Sequence, residues 1–480
     1  RKKDQAEVYI LKALEIEPEH TGLKNLYAEF HFSNRDYEQA QTLVDEILAQ
    51  RPDYVPSKLL KGKLLAQNKK YDDAVKIFEG LVKEEPKSPL YNFLLGKTLF
   101  QKNDMQKAMN YLSKTLEINP NHFTARLMVA ELHYRKRDFF AAETEVKRIL
   151  DKVPAHYEAN VLMGNILGAQ KNFDDAEKIF KKMISASPNN PVAYFRLGLI
   201  NRLKKDNTAA LANFEKALAL NPKLMDVFSN IIAVYGSQKE FDKALARCDR
   251  HIKEAGSDPV IHSVLSGFKG NILAAQNKTD LAIKEFAVAI EKNPRYSAPY
   301  LALAKQYRLS KQTDKEIETY QALIKQRSDI PLPHDRLGTI FEGQGKFDLA
   351  ETHYKRALEI SPYYVPAMNN LAFLYAQQEK ELNKALDLAR SAKERASGST
   401  AIMDTLGWVY YKKKLYDSAL EEFKACVAKS PKNPIFHYHL GLAYNKFGEY
   451  VKAEKALKKA LSLSPDFQGA DDARKVLDQL

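Results

Sequence analysis

Residues 191–222 read PVAYFRLGLINRLKKDNTAALANFEKALALNP. Counting back from Pro222, an apolar Phe214 stands eight places earlier, a small Ala210 twelve, and a second small residue, Gly198, twenty-four. The layout recurs at a fixed step. Thirty-four residues separate Pro18 from Pro52, and the same step lands on Pro86, Pro120, Pro154, Pro188 and Pro222. The eight-back site holds Ile10, Val44, Phe78, Leu112, Val146 and Phe180, and the twelve-back site Ala6, Ala40, Ala74, Ala108, Ala142 and Ala176. The twenty-four-back site holds Ala28, Gly62, Gly96, Ala130 and Gly164. Two antiparallel helices per step explain this order. Small residues let the backbones cross closely, an aromatic fills the gap to the next pair, and proline ends the second helix by excluding α geometry from the residue before it. A period of this size denotes stacked helical repeats, which moves the question of function from an active site to a surface.

The turn within each pair is also legible. Tyr71-Asp72, Phe173-Asp174, Phe241-Asp242, Phe347-Asp348 and Tyr416-Asp417 each precede the alanine site. Asp is expected to cap the second helix there, with the aromatic as a hydrophobic staple.

Tyr194, Leu197, Gly198, Ala210, Phe214, Ala217 and Pro222 together resemble the tetratricopeptide repeat, as do Leu337, Gly338, Phe341, Ala350, Tyr354, Ala357 and Pro362. The resemblance extends over essentially the whole chain and implies an all-α, right-handed α-solenoid of antiparallel helix pairs. The expected organisation is a half repeat at 1–20, arrays at 21–258 and 259–467 together making thirteen full repeats, and a capping helix at 468–480. Three departures stand out. The interval from Pro222 to Pro294 carries four surplus residues, expected near Gly256–Pro259, and that from Pro362 to Pro431 carries one, expected in the Glu379–Asn383 turn. Glu316 occupies an alanine site and Ile232 a small-residue site. The chain opens without methionine, inside a repeat, so further sequence, with any signal or anchor, is expected before Arg1.

Composition narrows the function classes. Hydrophobic residues make up 45% of the chain and mean hydropathy is −0.45; no apolar run reaches the roughly 18 residues of a membrane helix. Cys248 and Cys426 are five repeats apart, too far to be bridged in a linear stack, and are expected as buried small hydrophobes. The net charge of +13 is spread over scattered lysines with no run longer than Lys412–Lys414, and no basic groove with interleaved aromatics marks a nucleic-acid site. Gly343-Gln344-Gly345-Lys346 lacks the spacing and preceding strand of a phosphate loop. His437 and His439, two apart, face different sides of a helix. The expectation is a non-enzymatic chain with no cofactor and no metal.

The tetratricopeptide resemblance implies that the first helix of each pair lines a concave face, with contacts from its second, fifth, ninth, twelfth and thirteenth positions. In the N-terminal half those positions hold Leu59, Leu90, Phe93, Phe100, Leu127, Tyr134, Val161 and Phe195, flanked by Lys63, Lys97 and Glu131. This is an apolar strip suited to an amphipathic helix or extended apolar segment, or else to packing between neighbouring first helices. In the C-terminal half the lining is polar and aromatic: Arg308, Asp335, Asn369, Asn370, Asp404, Trp408, Tyr411, Tyr438, His439, Asn445 and Lys446. Trp408, the sole tryptophan, either offers hot-spot contact area beside Tyr411 and Tyr438 or packs on the next repeat. The asparagine ladder and carboxylate clamp of some family members are not assembled here.

The strings Asn369–Tyr375, Ala385–Ala389, Asp404–Trp408 and His437–Gly441 are similar to the C-terminal repeats of bacterial tetratricopeptide lipoproteins that accompany exopolysaccharide export. That resemblance implies a protein-binding scaffold in a cell-envelope assembly, periplasmic and lipid-anchored through a segment outside this chain, with a cytoplasmic setting as the alternative. Two other classes remain open: a docking arm of a larger enzyme such as a glycosyltransferase, and a nucleic-acid or anionic-surface binder.

Overall fold

The computed structural model describes residues 2–480, with side chains from Gln5 onward. The described residues form 28 α-helices and no strand. A single helix, Lys2–Ile16, precedes thirteen pairs that run from Thr21–Ser33 with Tyr37–Gln50 to Pro434–Phe447 with Tyr450–Leu463, and Ala470–Leu477 closes the chain. One helix, thirteen helix pairs and a final short helix thus make up the described residues. The chain divides into two compact units, residues 1–234 and 235–480, and the division falls within the helix Met225–Ser237. Within each unit consecutive helices pack against one another in chain order, and most first helices also meet the first helix of a neighbouring repeat, as Pro89–Lys102 meets Phe123–Arg135 and Val365–Gln377 meets Thr400–Lys412.

The small sites work as crossings. A Cβ added to Gly62 would lie 2.5 Å from Phe78, one on Gly198 2.5 Å from Phe214, and one on Gly407 2.6 Å from Phe423. Those rings are buried at the centres of their repeats. Each repeat therefore buries its core where two backbones come closest, and neighbouring repeats extend that core along the unit.

Helix ends follow the sequence with one correction. Asn221, before Pro222, is extended at φ −148°, ψ 95°, as the residue preceding a proline should be. Arg327, before Ser328, adopts nearly the same angles (φ −143°, ψ 76°), so the repeat imposes this geometry even where proline is missing. The Asp of the aromatic–Asp pairs is not the cap. Tyr71, Phe173 and Phe347 are themselves first helical residues, which places Asp72, Asp174 and Asp348 inside the first turn, where their charge favours the positive end of the helix dipole. Side-chain caps come one residue before the helix in other repeats. Asp36, Asp104, Asp138 and Asp206 accept the backbone N–H of Gln39, Lys107, Ala141 and Ala209.

The two insertions have different fates. The Gly256–Pro259 connection has ordinary length; the four surplus residues lie in the helix Pro259–Ala275, which has 17 residues where other first helices have 13 or 14. The insertion is one additional helical turn, added before Gly270, whose site opposite Phe286 keeps the repeat spacing. The single extra residue sits in the Glu379–Asn383 turn as expected, where Glu379 (φ 53°) and Glu381 (φ 50°) are both left-handed.

Every turn inside a pair closes alike, with an N–H reaching back five residues, as from Lys70 to Leu65 (2.9 Å) and from Asp206 to Asn201 (2.9 Å). The closure requires one residue in the left-handed region. Gly345 and Gly448 supply it in two repeats; Arg35, Lys69, Arg137, Lys171, Lys205, Lys239, Lys311 and Lys414 supply it in eight, at φ 56–65°. Glycine occupies that region freely, whereas an L side chain costs about 1–2 kcal/mol.

Candidate functional site

In the first unit the predicted strip keeps an accessible face: Leu90 is exposed and Leu59, Phe93, Phe100, Leu127, Tyr134, Val161 and Phe195 are all half-buried. The structure gathers only part of it. Phe100, Leu127 and Val161, from three successive repeats, line one cleft of about 380 Å³ with Met128, Tyr157, Leu162 and Val192. Glu131, Glu158, Asn165 and Arg196 form its polar margin. Glu131, Asn165 and Arg196 also border a second cleft of about 750 Å³, which takes in Tyr134 and Phe173. The two share a wall and run on from one another.

The remaining positions are spent on packing. Phe93 lies against His122, with ring centres 4.3 Å apart, and Phe195 against Phe214 of its own repeat at 6.0 Å. Leu59 joins the core around Phe78. Lys63 and Lys97 border a separate cleft of about 280 Å³ with Phe32 and Leu94.

Sequence reasoning missed two of the most informative residues. Asn165 is a ninth position, and so was within reach of the positional rule. Arg196 follows Phe195 and belongs to none of the contact positions. Its guanidinium lies 5.7 Å from the Phe195 ring centre, and its Nε is buried without a hydrogen-bond partner in the chain. A buried donor with no acceptor costs stability, and an acceptor brought by another molecule would relieve that cost.

In the second unit the predicted lining divides into surface and interior. Arg308 and Lys446 are exposed, while Asn369, Asn370, Asp404, Trp408, Tyr411 and Asn445 are half-buried. Asp335, Tyr438 and His439 are buried, and their side chains tie successive repeats together. Asn370 Nδ2 donates to Asp335 at 3.0 Å; His439 Nδ1 lies 2.8 Å from Asp404; Tyr438 donates to Asp472 at 2.7 Å. Burial raises the Asp335 carboxyl pKa, against the lowering effect of Arg336 and the Asn370 hydrogen bond. Trp408 is stacked between Tyr411 (5.1 Å) and His439 (4.6 Å), with the Lys412 ammonium 5.2 Å from its ring. Burial pushes the Tyr411 hydroxyl up to about 12. The aromatic cluster is therefore largely a joint between repeats. His437 is held by the Pro431 carbonyl at 2.9 Å, apart from His439.

Comparison with known proteins gives the same architecture. Tetratricopeptide-repeat models match residues 4–64, 32–98, 334–364 and 405–466. A model of anaphase-promoting complex, cyclosome, subunit 3 matches 67–148, and one of the TT21 fifth ARM repeats domain matches 124–235. The chain is 27% identical over 184 residues to anaphase-promoting complex subunit CDC16 of Saccharomyces cerevisiae, covering 37% of this chain and 22% of that protein. It is 28% identical over 189 residues to the human protein O-mannosyl-transferase TMTC3, covering 38% and 20%. The matched segments thus span about a fifth of these relatives. Among solved structures, the Cut9–Hcn1 hetero-tetramer of the same complex aligns over 96% of this chain and 97% of that one, at 16% identity and a TM-score of 0.42. The period, the thirteen helix pairs and the family matches at both ends agree: the chain is a tetratricopeptide-repeat protein.

Proposed function

We propose that this protein is a scaffold that holds a segment of another protein in the cleft of its first unit. The observation that carries the reading is the run of Phe100, Leu127 and Val161 across three repeats, with Arg196 offering an unfilled donor at the margin. A cleft of about 380 Å³ lies in the range that seats a compact group of side chains. An apolar floor with Glu131, Glu158 and Arg196 at its margin suits an amphipathic segment bearing an acceptor for the guanidinium. The matches to a subunit of a multiprotein complex and, at 25% identity over 157 residues, to the general transcriptional corepressor ssn6 of Schizosaccharomyces pombe support a scaffold.

The test is photocrosslinking in the source cells. A photoreactive residue at Leu127 or Val161 should capture a discrete protein that the same probe at Phe140, 81% exposed and outside the cleft, does not. Arg196→Gln should reduce capture at least tenfold while leaving the fold intact. Equal capture from all positions would remove the cleft from the account.

The transferase match favours a second reading, in which these repeats are the docking arm of a larger enzyme. A catalytic domain in the complete reading frame would decide for it. The cell-envelope setting suggested by the C-terminal strings is a further proposal; fractionation that finds the protein in the cytoplasm would overturn it.

A further inference from the structure

We propose that the turn edge of each unit, where first helix passes to second, is a docking surface for an acidic, extended protein segment. This surface does not rest on the cleft of about 380 Å³, and of its eight left-handed cations Lys171 alone borders the adjoining cleft of about 750 Å³. The eight left-handed cations are all exposed, and among the described residues none of them forms an ion pair. They occupy a strained conformation that Gly345 and Gly448 fill without strain in the same closure. Stability alone therefore favours glycine or asparagine at these places, and the cation needs another reason.

Charge placement supplies one. The residues between the helices of the thirteen pairs hold fifteen Lys or Arg and eight Asp or Glu, a net +7 of the chain's +13. The residues that join successive pairs, at the opposite edge, hold seven against five, a net +2. Half of the acids on the basic edge are Asp36, Asp104, Asp138 and Asp206, already engaged by helix N-termini. Acids also stand in the first turns of the second helices, but Asp72, Asp174 and Asp175 are paired with Lys102, Lys204 and Lys178, while among the described residues the left-handed cations themselves face solvent unpaired.

The partner's chemistry follows from spacing and residue type. Neighbouring helices sit about 8–10 Å apart, so in the first unit, where five of the six pairs carry one, the left-handed cations recur on the order of every 10 Å; in the second, Asn277, Gly345, Glu379 and Gly448 interrupt the row. Duplex DNA carries one charge per roughly 1.7 Å, far denser than this row. No aromatic occupies a left-handed position to stack a base. Six of the eight cations are Lys, point charges without the fork that grips phosphate in two places. An extended acidic chain, at about 3.3 Å per residue, meets one cation every third residue.

The experiment uses the whole chain and a fluorescent twenty-residue glutamate-rich peptide, read by anisotropy at low salt. The variant Lys69→Gly, Arg137→Gly, Lys171→Gly, Lys205→Gly should bind at least tenfold more weakly, with a shallower salt dependence, and should melt no lower than the parent. A control with Lys83→Gln, Lys87→Gln, Lys182→Gln and Lys223→Gln, exposed lysines at the ends of second helices or in the connections between pairs, should bind like the parent. Equal loss in both variants, no loss in either, or tighter binding of the parent to a single-stranded oligonucleotide or to phosphatidylserine vesicles than to the peptide would overturn the proposal.

Discussion

At Gly62 and Phe78 the repeat logic can be tested by exchanging volume across one crossing. Gly62 lies in the helix Val55–Gln67 and Phe78 in Tyr71–Glu84, with the Phe78 ring 1% exposed. A methyl group at position 62 would come within 2.5 Å of Cζ and 2.6 Å of Cε1. Gly62→Ala gains about 1 kcal/mol of helix propensity and loses about 1–3 kcal/mol to overpacking, leaving a net loss of up to about 2 kcal/mol. Phe78→Val alone opens a cavity, at about 2–3 kcal/mol. The double variant recreates a pair the chain already uses, since Ala28 faces Val44 and Ala130 faces Val146 sixteen residues on, all but fully buried. Its loss should fall short of the sum of the single losses by about 1–3 kcal/mol, the coupling expected of groups in contact. Urea unfolding gives the totals, and hydrogen exchange of residues 55–84 localises them, because a solenoid opens repeat by repeat. Single effects that add to within about 0.5 kcal/mol would show that the two sites do not share a volume, and the close-crossing account would fail.

The exposed glycine of the same repeat serves as the opposite case. Gly80 has nothing within 4 Å of an added Cβ, so Gly80→Ala should stabilise by about 1 kcal/mol in the same unfolding assay; a loss would mean a hidden contact. Cys248 and Cys426 are buried, with burial pushing both thiols up to about 12, so a thiol reagent should label neither within minutes in the native protein and both in denaturant; stoichiometric native labelling would refute the burial. Glu316 is buried at an alanine site, and its carboxyl pKa is raised by burial against Arg308 and Arg336. A raised acid destabilises the fold above its folded pKa and ceases to do so as pH falls to about 4.3. Glu316→Ala should therefore raise the melting temperature at pH 7, with the gain shrinking on acidification; a variant that melts lower at pH 7 would show that the carboxylate is needed. Glu351 behaves in the opposite sense. Burial alone would raise its pKa, but hydrogen bonds from Lys355, Lys380 and Tyr375 outweigh it and hold the carboxyl at about 2. The stability this adds is present above pH ~4.3 and lost towards pH 2. Glu351→Gln should lower the melting temperature at neutral pH and converge with the parent in acid; a constant difference would locate the effect outside ionisation.

The architecture was legible because it repeats. One proline step set the number of pairs, and the extended residue before each proline followed from a local steric rule that holds even at Arg327 without the proline. The added turn in Pro259–Ala275 was placed wrongly because only the spacing of Gly270 and Phe286 locates it, and a proline-to-proline count cannot divide four residues between loop and helix. The caps were shifted by one because aromatic–Asp reads equally as cap or first turn. The lining of the first unit's cleft was half legible. Position rules found Phe100, Leu127 and Val161, but whether a half-buried ring faces a groove or its own repeat depends on which volumes neighbouring helices leave open, and so Phe93 and Phe195 resolved as packing.

A deeper signal was present and unread, in which the two small-to-large sites compensate one another. Where the crossing residue is Gly, the residue sixteen on is Phe, Tyr or Leu; where it is Ala28 or Ala130, it is Val. Ile232, which breaks the small site, is followed sixteen residues later by Cys248, so two apparent irregularities are one adjustment. Ala372, with the extra turn residue intervening, leads to a fully buried Ala389. Total volume is held nearly constant while its division between helices varies, as close packing demands. Two repeats depart from the rule: Ala372 meets only the small Ala389, and Ala304 is followed by Tyr320, an aromatic where Ala elsewhere takes Val or Ala. The latter is the repeat in which Glu316 replaces alanine and Gln306 is buried as well. An overfilled crossing beside a desolvated carboxylate concentrates three costs in Ser297–Gln326. Because stability in a stacked array is set locally, hydrogen exchange in the second unit should be fastest there among its interior repeats, and protection equal to that of Pro331–Ile360 would show that the volume rule does not govern stability.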